Sequence, residues 1–595
     1  MKTKISEMSS SELQDATAFW LAAFEDALDR TDTISAADLF LKDSHWRDVL
    51  AFTWHLQTMS GISDIEATLK QTLHSVRPSG FQVAPERTAP RQVFRAGIES
   101  IEAIFEFNTL MGRGSGVLRL IPDSDAGGAM RAWTFLTSLE ELGGHEERLS
   151  ESRAGGDAFK REWGGDNWQD LRNKACAYDD HEPAVLVVGG GQAGLGITAR
   201  LTHLGVDTLI IDSHERIGDN WRERYHSLVL HNEVFVNHMP YMPFPKTWPV
   251  YIPKDLLATW FEAYVAVLEL NYWSATTLES GYYDEYTGVW HITLCQNDGS
   301  IRVVRPRHVV MATGVSAIPA WPDDLHGLKD FSGEVIHSGS YEDGNAWSGK
   351  KALVLGTGNS GHDVAHDLCA SGADVTMIQR SSTHIVGLAE AQKPYALYSE
   401  GPPIEDCDLL AVSLPFPVLR QGYQLMTKAA AEVDKEILDG LGARGFRLNA
   451  GVDDCGFQMS YLQRGGGYYF NVGASDLIVE GKIGLLQYSE INNFTPDGVK
   501  LDNGDTLSAD LLVLATGFKN MQETTRSLLG DAIADRIGPV WGFDAGGELR
   551  NMWKRTAQPG LWFAAGSLAQ CRIYSRYLAL QIKACEVGLI TAKRD

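Results

Sequence analysis

The sequence predicts an α/β protein in which two bodies built on the same β–α–β unit follow a small α+β domain. Three observations carry this. An apolar run opens twice into a glycine-rich turn followed by a helical pattern, at Gly189 and again at Gly356. The first 147 residues lack that unit and read as helices followed by alternating strands. The length, 595 residues, calls for several domains.

In chain order, Ser11 to Leu28 has helical apolar spacing, with Ser11 as its expected N-cap. Asp43 to Gly61 is rich in aromatic and aliphatic residues. Three strand-like runs follow, Gln92 to Met111, Gly116 to Ile121 and Met130 to Leu139. Gly112, Gly114 and Gly116, then Asp125-Ala126-Gly127-Gly128, mark the turns between them. Residues 148–180 are charged and glycine-containing and read as a partly helical linker. Ala184 to Val188 is a strand, Gly189 to Gly194 a turn, Leu195 to Leu204 a helix and Thr208 to Ile211 a strand ending at Asp212. The unit recurs as Lys351 to Leu355, Gly356 to Gly361, His362 to Ala370 and Asp374 to Gln379. Leu388 to Gly451 is long and partly helical and is expected to cover a site. Asp510 to Leu514 returns as a strand. The expected division is 1–147, a linker 148–180, a first dinucleotide domain 181–330, a second with the covering insertion 331–485, and a return to the first over 486–595.

Both glycine turns fit G-x-G-x-x-G. The first glycine permits the tight turn, the second lets backbone approach a pyrophosphate, and the third lets helix pack on strand. The phosphates then meet free N–H groups at a helix N-terminus. Gly189, Gly191, Gln192, Ala193 and Gly194 form the first turn, and Asp212 lies 21 residues beyond Gly191. An acid there accepts hydrogen bonds from a ribose hydroxyl. Gly356, Gly358, Asn359, Ser360 and Gly361 form the second turn, and Arg380 lies 22 residues beyond Gly358. An arginine there pairs with a 2′-phosphate. The pair of signatures predicts FAD at the first turn and NADPH at the second.

Composition sets limits. Charged residues are 22% and the formal charge is −25, against a nucleic-acid partner, which would need basic residues for phosphates. Seven cysteines are scattered with no CxxC, so neither a zinc site nor a redox dithiol is expected. An odd count suits a reducing compartment. No apolar run reaches ~18 residues, and the first thirty residues carry no apolar signal core. A cytoplasmic protein without a membrane span is expected.

Between the turns lies Phe331-Ser332-Gly333-Glu334-Val335-Ile336-His337-Ser338-Gly339-Ser340-Tyr341. This resembles the FxGxxxHxxx(Y/F) motif of class B flavin-containing monooxygenases. Met311-Ala312-Thr313-Gly314 and Ala515-Thr516-Gly517-Phe518 resemble that superfamily's two ATG-type turns, where the chain crosses between the FAD and NADPH domains. Gly218-Asp219-Asn220-Trp221 is similar to the GGxW segment near the flavin, with Asp for the second glycine. Together these cover about Ala184 to Leu580.

The resemblance implies two Rossmann-like domains and an NADPH-dependent monooxygenase. Its C4a-(hydro)peroxyflavin would insert one atom of O2 into a small organic substrate, at nitrogen, sulfur, an indole-type carbon or an α-keto acid. Trp221, Thr313, Gly314, Thr516, Gly517 and Gly566 join the expected cofactor residues. Asn232, in Leu228-Val229-Leu230-His231-Asn232, falls where family members place an asparagine at the flavin edge. The other reading of it is an ordinary turn asparagine, and His231 is equally open. His337 reads as a structural or NADPH-loop residue. Arg572, Tyr574 and Arg576 stay open between flavin-side and surface roles. Baeyer–Villiger enzymes carry Trp at the motif's end where this chain has Tyr341, so ketone oxygenation is the alternative. An NADPH oxidase or flavin reductase is the other.

The N-terminal segment Asp43-Ser44-His45-Trp46-Arg47-Asp48 and the strands after it look like a SnoaL-type cone. His45 and Asp48 are either an acid–base pair or satisfied polar residues at a corner. The cone leaves a homodimer open.

Overall fold

A computed structural model describes residues 5–152 and 163–593; part of the expected linker lies outside them. The chain begins with helices α1 (Ser10–Asp29), α2 (Thr33–Ala37) and α3 (Ile62–Val76). The cap of α1 is Ser9, not Ser11: Ser9 is extended, its hydroxyl accepts from the Glu12 N–H, and the Glu12 carboxylate accepts from the Ser9 N–H. That capping box satisfies two otherwise free groups at once.

Seven strands accompany them, the first two lying between α2 and α3: β1 (Phe40–Val49), β2 (Leu56–Ser60), β3 (Ser79–Val83), β4 (Arg91–Arg95), β5 (Ile98–Thr109), β6 (Gly112–Asp123) and β7 (Ala129–Leu139). They pair in the order β2-β1-β7-β6-β5-β3, with β4 hairpinned onto β5. All pairs are antiparallel except β1 with β7. The run expected from Gln92 to Met111 is thus two strands, because Ala96 and Gly97 both adopt positive φ and turn the chain. Gly114 and Gly116 do not mark turns. They lie inside β6, where an added Cβ would come within 2.4 Å of the Phe107 ring and 2.1 Å of the Phe105 ring. Their role is to make room for those phenyls.

The sheet curls around a core of rings. Trp20 and Phe24 of α1 pack on Phe40 and Phe135, and Phe81, Phe105 and Phe107 continue the stack. All seven are buried.

Helix α4 (Trp168–Ala177) leads into β8 (Val185–Val188), helix α5 (Gln192–His203) and β9 (Thr208–Ile211). The first parallel sheet has the order Asn271–Trp273, β9, β8, His308–Met311, Leu561–Phe563. The second has the order Ile483–Gln487, Asp374–Gln379, Lys351–Leu355, Leu511–Leu514, Glu334–His337. The two orders correspond strand for strand. Each fingerprint strand is central, with its own β–α–β partner on one side and an ATG-turn strand on the other. Central strands buried on both faces read as continuous apolar runs, as VLVV and LLVL do.

One boundary moves. The chain was expected to return to the first domain at 486, but Leu511–Leu514 pairs within the second sheet and rejoins the first only at Leu561–Phe563. Among the described residues, no helix is long and apolar enough to cross a membrane.

Candidate cofactor and substrate site

The two glycine turns are built alike. Gly189 and Gly356 have positive φ, and an added Cβ would strike the Ala312 carbonyl oxygen at 2.5 Å and the Ala515 carbonyl oxygen at 2.3 Å. Gly194 and Gly361 sit so close to the turn that a Cβ would reach the Gly189 and Gly356 oxygens at 1.9 and 2.1 Å. Only glycine fits these four positions, and each ATG turn is packed against the first glycine of its fingerprint. The helices behind the turns begin at Gly191 and Gly358, and no side chain caps either one. Their first N–H groups are left to an anion.

A cavity of about 1380 Å³ opens from the first turn. Gly189, Gly191, Gln192, Ala193, Asp212, Trp221, Asn232, Thr313, Gly314 and Gly566 all line it. Three remote segments are tied together there. The Trp221 indole N–H donates to Gln192 Oε1 at 3.1 Å, and Gln192 Nε2 donates to the Gly566 carbonyl at 3.2 Å. Asp212 accepts from the Gly190 N–H at 2.6 Å and from the His214 N–H at 2.9 Å. Burial opposes its charge, but the bonds from His214 and Gly190 outweigh that and hold its pKa below the usual value. Asp212 is therefore held as an anion in the cavity wall. Thr313 Oγ1 is shielded from solvent and has no partner. An orphaned hydroxyl beside an uncapped helix is what a bound phosphate-bearing group would satisfy. On these observations the residues present fit a flavin dinucleotide.

Gly356, Gly358, Asn359, Ser360, Gly361 and Arg380 stand outside the walls of that cavity. Asn359 is partly occupied: its Oδ1 accepts from the Phe470 N–H at 3.0 Å, fixing the second turn to the strand Tyr468–Asn471. Arg380 is exposed at the end of Asp374–Gln379. Sequence reasoning missed Arg447, whose guanidinium donates to the Gln379 and Arg380 carbonyls at 3.3 and 2.8 Å. It adds a second cation at the place expected for a 2′-phosphate. No spacing rule links it to the fingerprint.

The four fixed positions of the motif, Phe331, Gly333, His337 and Tyr341, each have a structural task. Phe331 is buried with Leu353 and Leu512. A Cβ on Gly333 would meet the Asp510 oxygen at 2.6 Å. His337 bonds through Nε2 to the Gly517 carbonyl at 3.0 Å and accepts at Nδ1 from the Gly339 N–H at 3.1 Å. Burial lowers its pKa, so it stays neutral with the proton on Nε2. Tyr341 donates to Asp367 at 2.6 Å, on the helix behind the second turn. Thr516 Oγ1 donates to the Ala320 carbonyl at 2.6 Å, and the Gly517 carbonyl also accepts from the Ala320 N–H at 2.9 Å. The second ATG turn is thus held to the segment leaving the first.

Asn232 lines the cavity from the strand Val229–Glu233, and its backbone carbonyl accepts from Asn237 Nδ2 at 2.8 Å. Beside it, His231 packs edge-on to Phe470, and burial holds its pKa down to about 4, leaving it neutral. Arg572 is buried on Asp408 and on the Val236 and His238 carbonyls, Arg576 pairs with Glu140, and Tyr574 lines the cavity. Arg224, also missed, lines the cavity next to Trp221.

His45 and Asp48 are not a pair. His45 Nδ1 meets Ser60 Oγ at 2.8 Å, whereas Asp48 accepts from Thr53 Oγ1 and Thr137 Oγ1 at 2.7 Å each. Three positions apart on a strand, they point to opposite faces.

The chain matches the family described as FMO-like, flavin-binding monooxygenase-like, over residues 183–399. It is 30% identical over 340 residues to indole-3-pyruvate monooxygenase YUCCA1 of Oryza sativa subsp. japonica, covering 57% of this chain and 77% of that protein. It is 31% identical over 341 residues to the probable indole-3-pyruvate monooxygenase YUCCA4 of Arabidopsis thaliana, covering 57% and 76%. Cyclohexanone monooxygenase with bound ε-caprolactone shares the fold at 18% identity and a TM-score of 0.50, over 68% of this chain and 88% of that one. From the residues upward and by these relatives, the chain belongs to the flavin-binding monooxygenase family.

Proposed function

We propose that the protein is an NADPH-dependent FAD monooxygenase of small organic molecules. The observation that carries this is the matched pair of uncapped helix N-termini, one followed by an ionised acid and the other by arginines. The net reaction is substrate, O2, NADPH and a proton giving oxygenated substrate, NADP+ and water. When bound, the flavin supplies hydride acceptance and dioxygen activation.

The chain's own residues supply the rest. The N-terminus of α5 and Thr313 Oγ1 hold the pyrophosphate side of FAD. Asp212 takes its ribose, and Gln192, Trp221 and Gly566 fix the wall beside it. Arg380 and Arg447 receive the 2′-phosphate of NADPH. Asn232 presents its amide to the cavity. Neutral His231 and the surrounding apolar side chains keep water out. Residues 5–147 form a SnoaL-like domain, and the second dinucleotide domain runs to about Phe518. Seven free cysteines, three of them buried, support a reducing cytoplasm.

The test is anaerobic mixing of the purified yellow protein with NADPH. Bleaching of the flavin, then transfer of one heavy atom from labelled dioxygen to an aryl sulfide or indole-type acid, is expected. No bleaching, or bleaching followed only by hydrogen peroxide, would overturn the reading.

A further inference from the structure

We infer that the N-terminal domain braces the segment 395–412 over the cavity, with Asp406 and Glu400 as the positioning residues it grips, and that this brace keeps NADPH oxidation coupled to oxygen transfer. This rests on the monooxygenase reading above.

The covering insertion leans on the N-terminal domain. Its helix Ile404–Val412 sends Leu409, Leu410 and Val412 into the same buried cluster as Trp46 and Leu136, and into neither dinucleotide core. Leu397 packs against that cluster as well. Polar ties run alongside. Asp406, 3% exposed, accepts from the Thr88 N–H at 2.8 Å and from Thr88 Oγ1 at 2.6 Å. Arg87 approaches the other Asp406 oxygen at 3.8 Å. Glu400 pairs with Arg91 at 3.1 Å and with Arg95 at 3.2 Å, two arginines that share Glu102 with Arg119. From β1, Arg47 donates to the Val412 carbonyl. The domain thus holds the helix near its start, at its end and at the turn before it.

The same segment lines the cavity with Tyr395, Leu397, Tyr398, Leu410 and Val412. It is also clasped from the flavin side. Asp408 accepts from the Tyr398 hydroxyl at 2.8 Å and from Arg572 Nε and Nη2 at 2.7 and 2.6 Å. Asp406 and Asp408, two positions apart on one helix, are therefore bonded to different bodies. A buried carboxylate stays buried only while donors meet it. Without the Thr88 donors, Asp406 is drawn toward water and the helix keeps its hold on Arg572 alone among these two clasps. Ahead of the helix, Gly401 has φ +109, and no atom lies within 4 Å of where its Cβ would stand. The turn has room to swing there. An opened wall admits water. NADPH, O2 and a proton then give NADP+ and hydrogen peroxide in place of oxygenated substrate and water.

The test compares the full-length holoenzyme with its Asp406→Ala, Asp406→Asn and Glu400→Gln variants, using methyl phenyl sulfide as the probe. In Asp406→Ala, amide hydrogen exchange of peptides spanning 395–412 is expected to rise about tenfold. Sulfoxide formed per NADPH consumed should fall about threefold or more, with hydrogen peroxide making up the difference. Anaerobic bleaching of the flavin by NADPH should keep its rate within about twofold. Asp406→Asn, whose amide oxygen still accepts from the Thr88 N–H, should recover at least about half of the lost coupling. Glu400→Gln should shift exchange and coupling in the same direction. Unchanged exchange of these peptides in both Asp406→Ala and Glu400→Gln overturns the inference. So does faster exchange with unaltered coupling. If Asp406→Ala does not fold, Thr88→Val and Glu400→Gln decide by the same two readings. A parent enzyme that NADPH does not bleach sinks the monooxygenase reading instead, and exchange still decides whether the brace exists.

Discussion

Gln192 and Trp221 share a 3.1 Å hydrogen bond in which the indole N–H donates and the amide oxygen accepts. The same amide donates onward to the Gly566 carbonyl. One side chain therefore clamps the first glycine turn, the Gly218-to-Trp221 segment and the C-terminal turn around one cavity. Gln192→Leu keeps the volume but leaves the indole N–H and the carbonyl unpaired, at about 1–3 kcal/mol. FAD retention should fall about tenfold or more, read as the dissociation constant from flavin fluorescence on dilution.

The two glycines flanking that glutamine should behave differently. Gly191 has φ −80 and only the Asn220 amide lies within 3.0 Å of an added Cβ. Gly191→Ala should fold and come out colourless, because the methyl occupies the pyrophosphate's approach. Gly194→Ala forces a Cβ to within 1.9 Å of backbone oxygen and should lower soluble yield. Circular dichroism and flavin absorbance separate the two outcomes.

Arg380 is exposed and bonds through its backbone to Arg447. Arg380→Ala should leave folding intact, raise the KM for NADPH about tenfold or more and leave NADH use almost unchanged. Equal loss with both nucleotides would remove the 2′-phosphate assignment. Arg447→Ala should lose the same preference and also loosen the loop it fastens.

Asp48 supplies a pH dependence. Burial raises its pKa from 3.8 to about 6, against the lowering effect of bonds from Thr137, Thr53 and Phe52. A carboxyl raised on folding binds its proton more tightly in the native state. Its contribution is present below about pH 4 and is lost as pH climbs through about 6. Asp48→Asn does not titrate. Its stability relative to the parent should therefore improve by about 2 kcal/mol between pH 4 and pH 7. Denaturant midpoints at the two pH values measure it.

The two dinucleotide sheets were legible in the sequence because their determinants are local. A strand, a glycine turn and a helix lie within about thirty residues, and Gly189, Gly194, Gly356 and Gly361 are fixed by contacts inside that unit or with the ATG turn. What was missed is non-local. Arg447 meets Arg380 across 67 positions and Arg47 meets Glu548 across 501, and neither distance leaves a trace in periodicity. Gly114 and Gly116 were misread because a glycine that opens a turn and one that admits a phenyl ring look alike until the ring is placed. The boundary at 486 failed for the same reason: a buried LLVL run suits either sheet, and only pairing chooses.

The chain passes between the two parallel sheets twice, and the passages run side by side. Pro319 and Phe518 form a bridge, the Ala320 N–H donates to the Gly517 carbonyl, and the Lys519 N–H donates to the Ile318 carbonyl. A body tethered by one cord can turn any way. Tethered by two cords laced together, it keeps one easy axis, like a door leaf on a pin. Any swing of the second sheet against the first is confined to that axis.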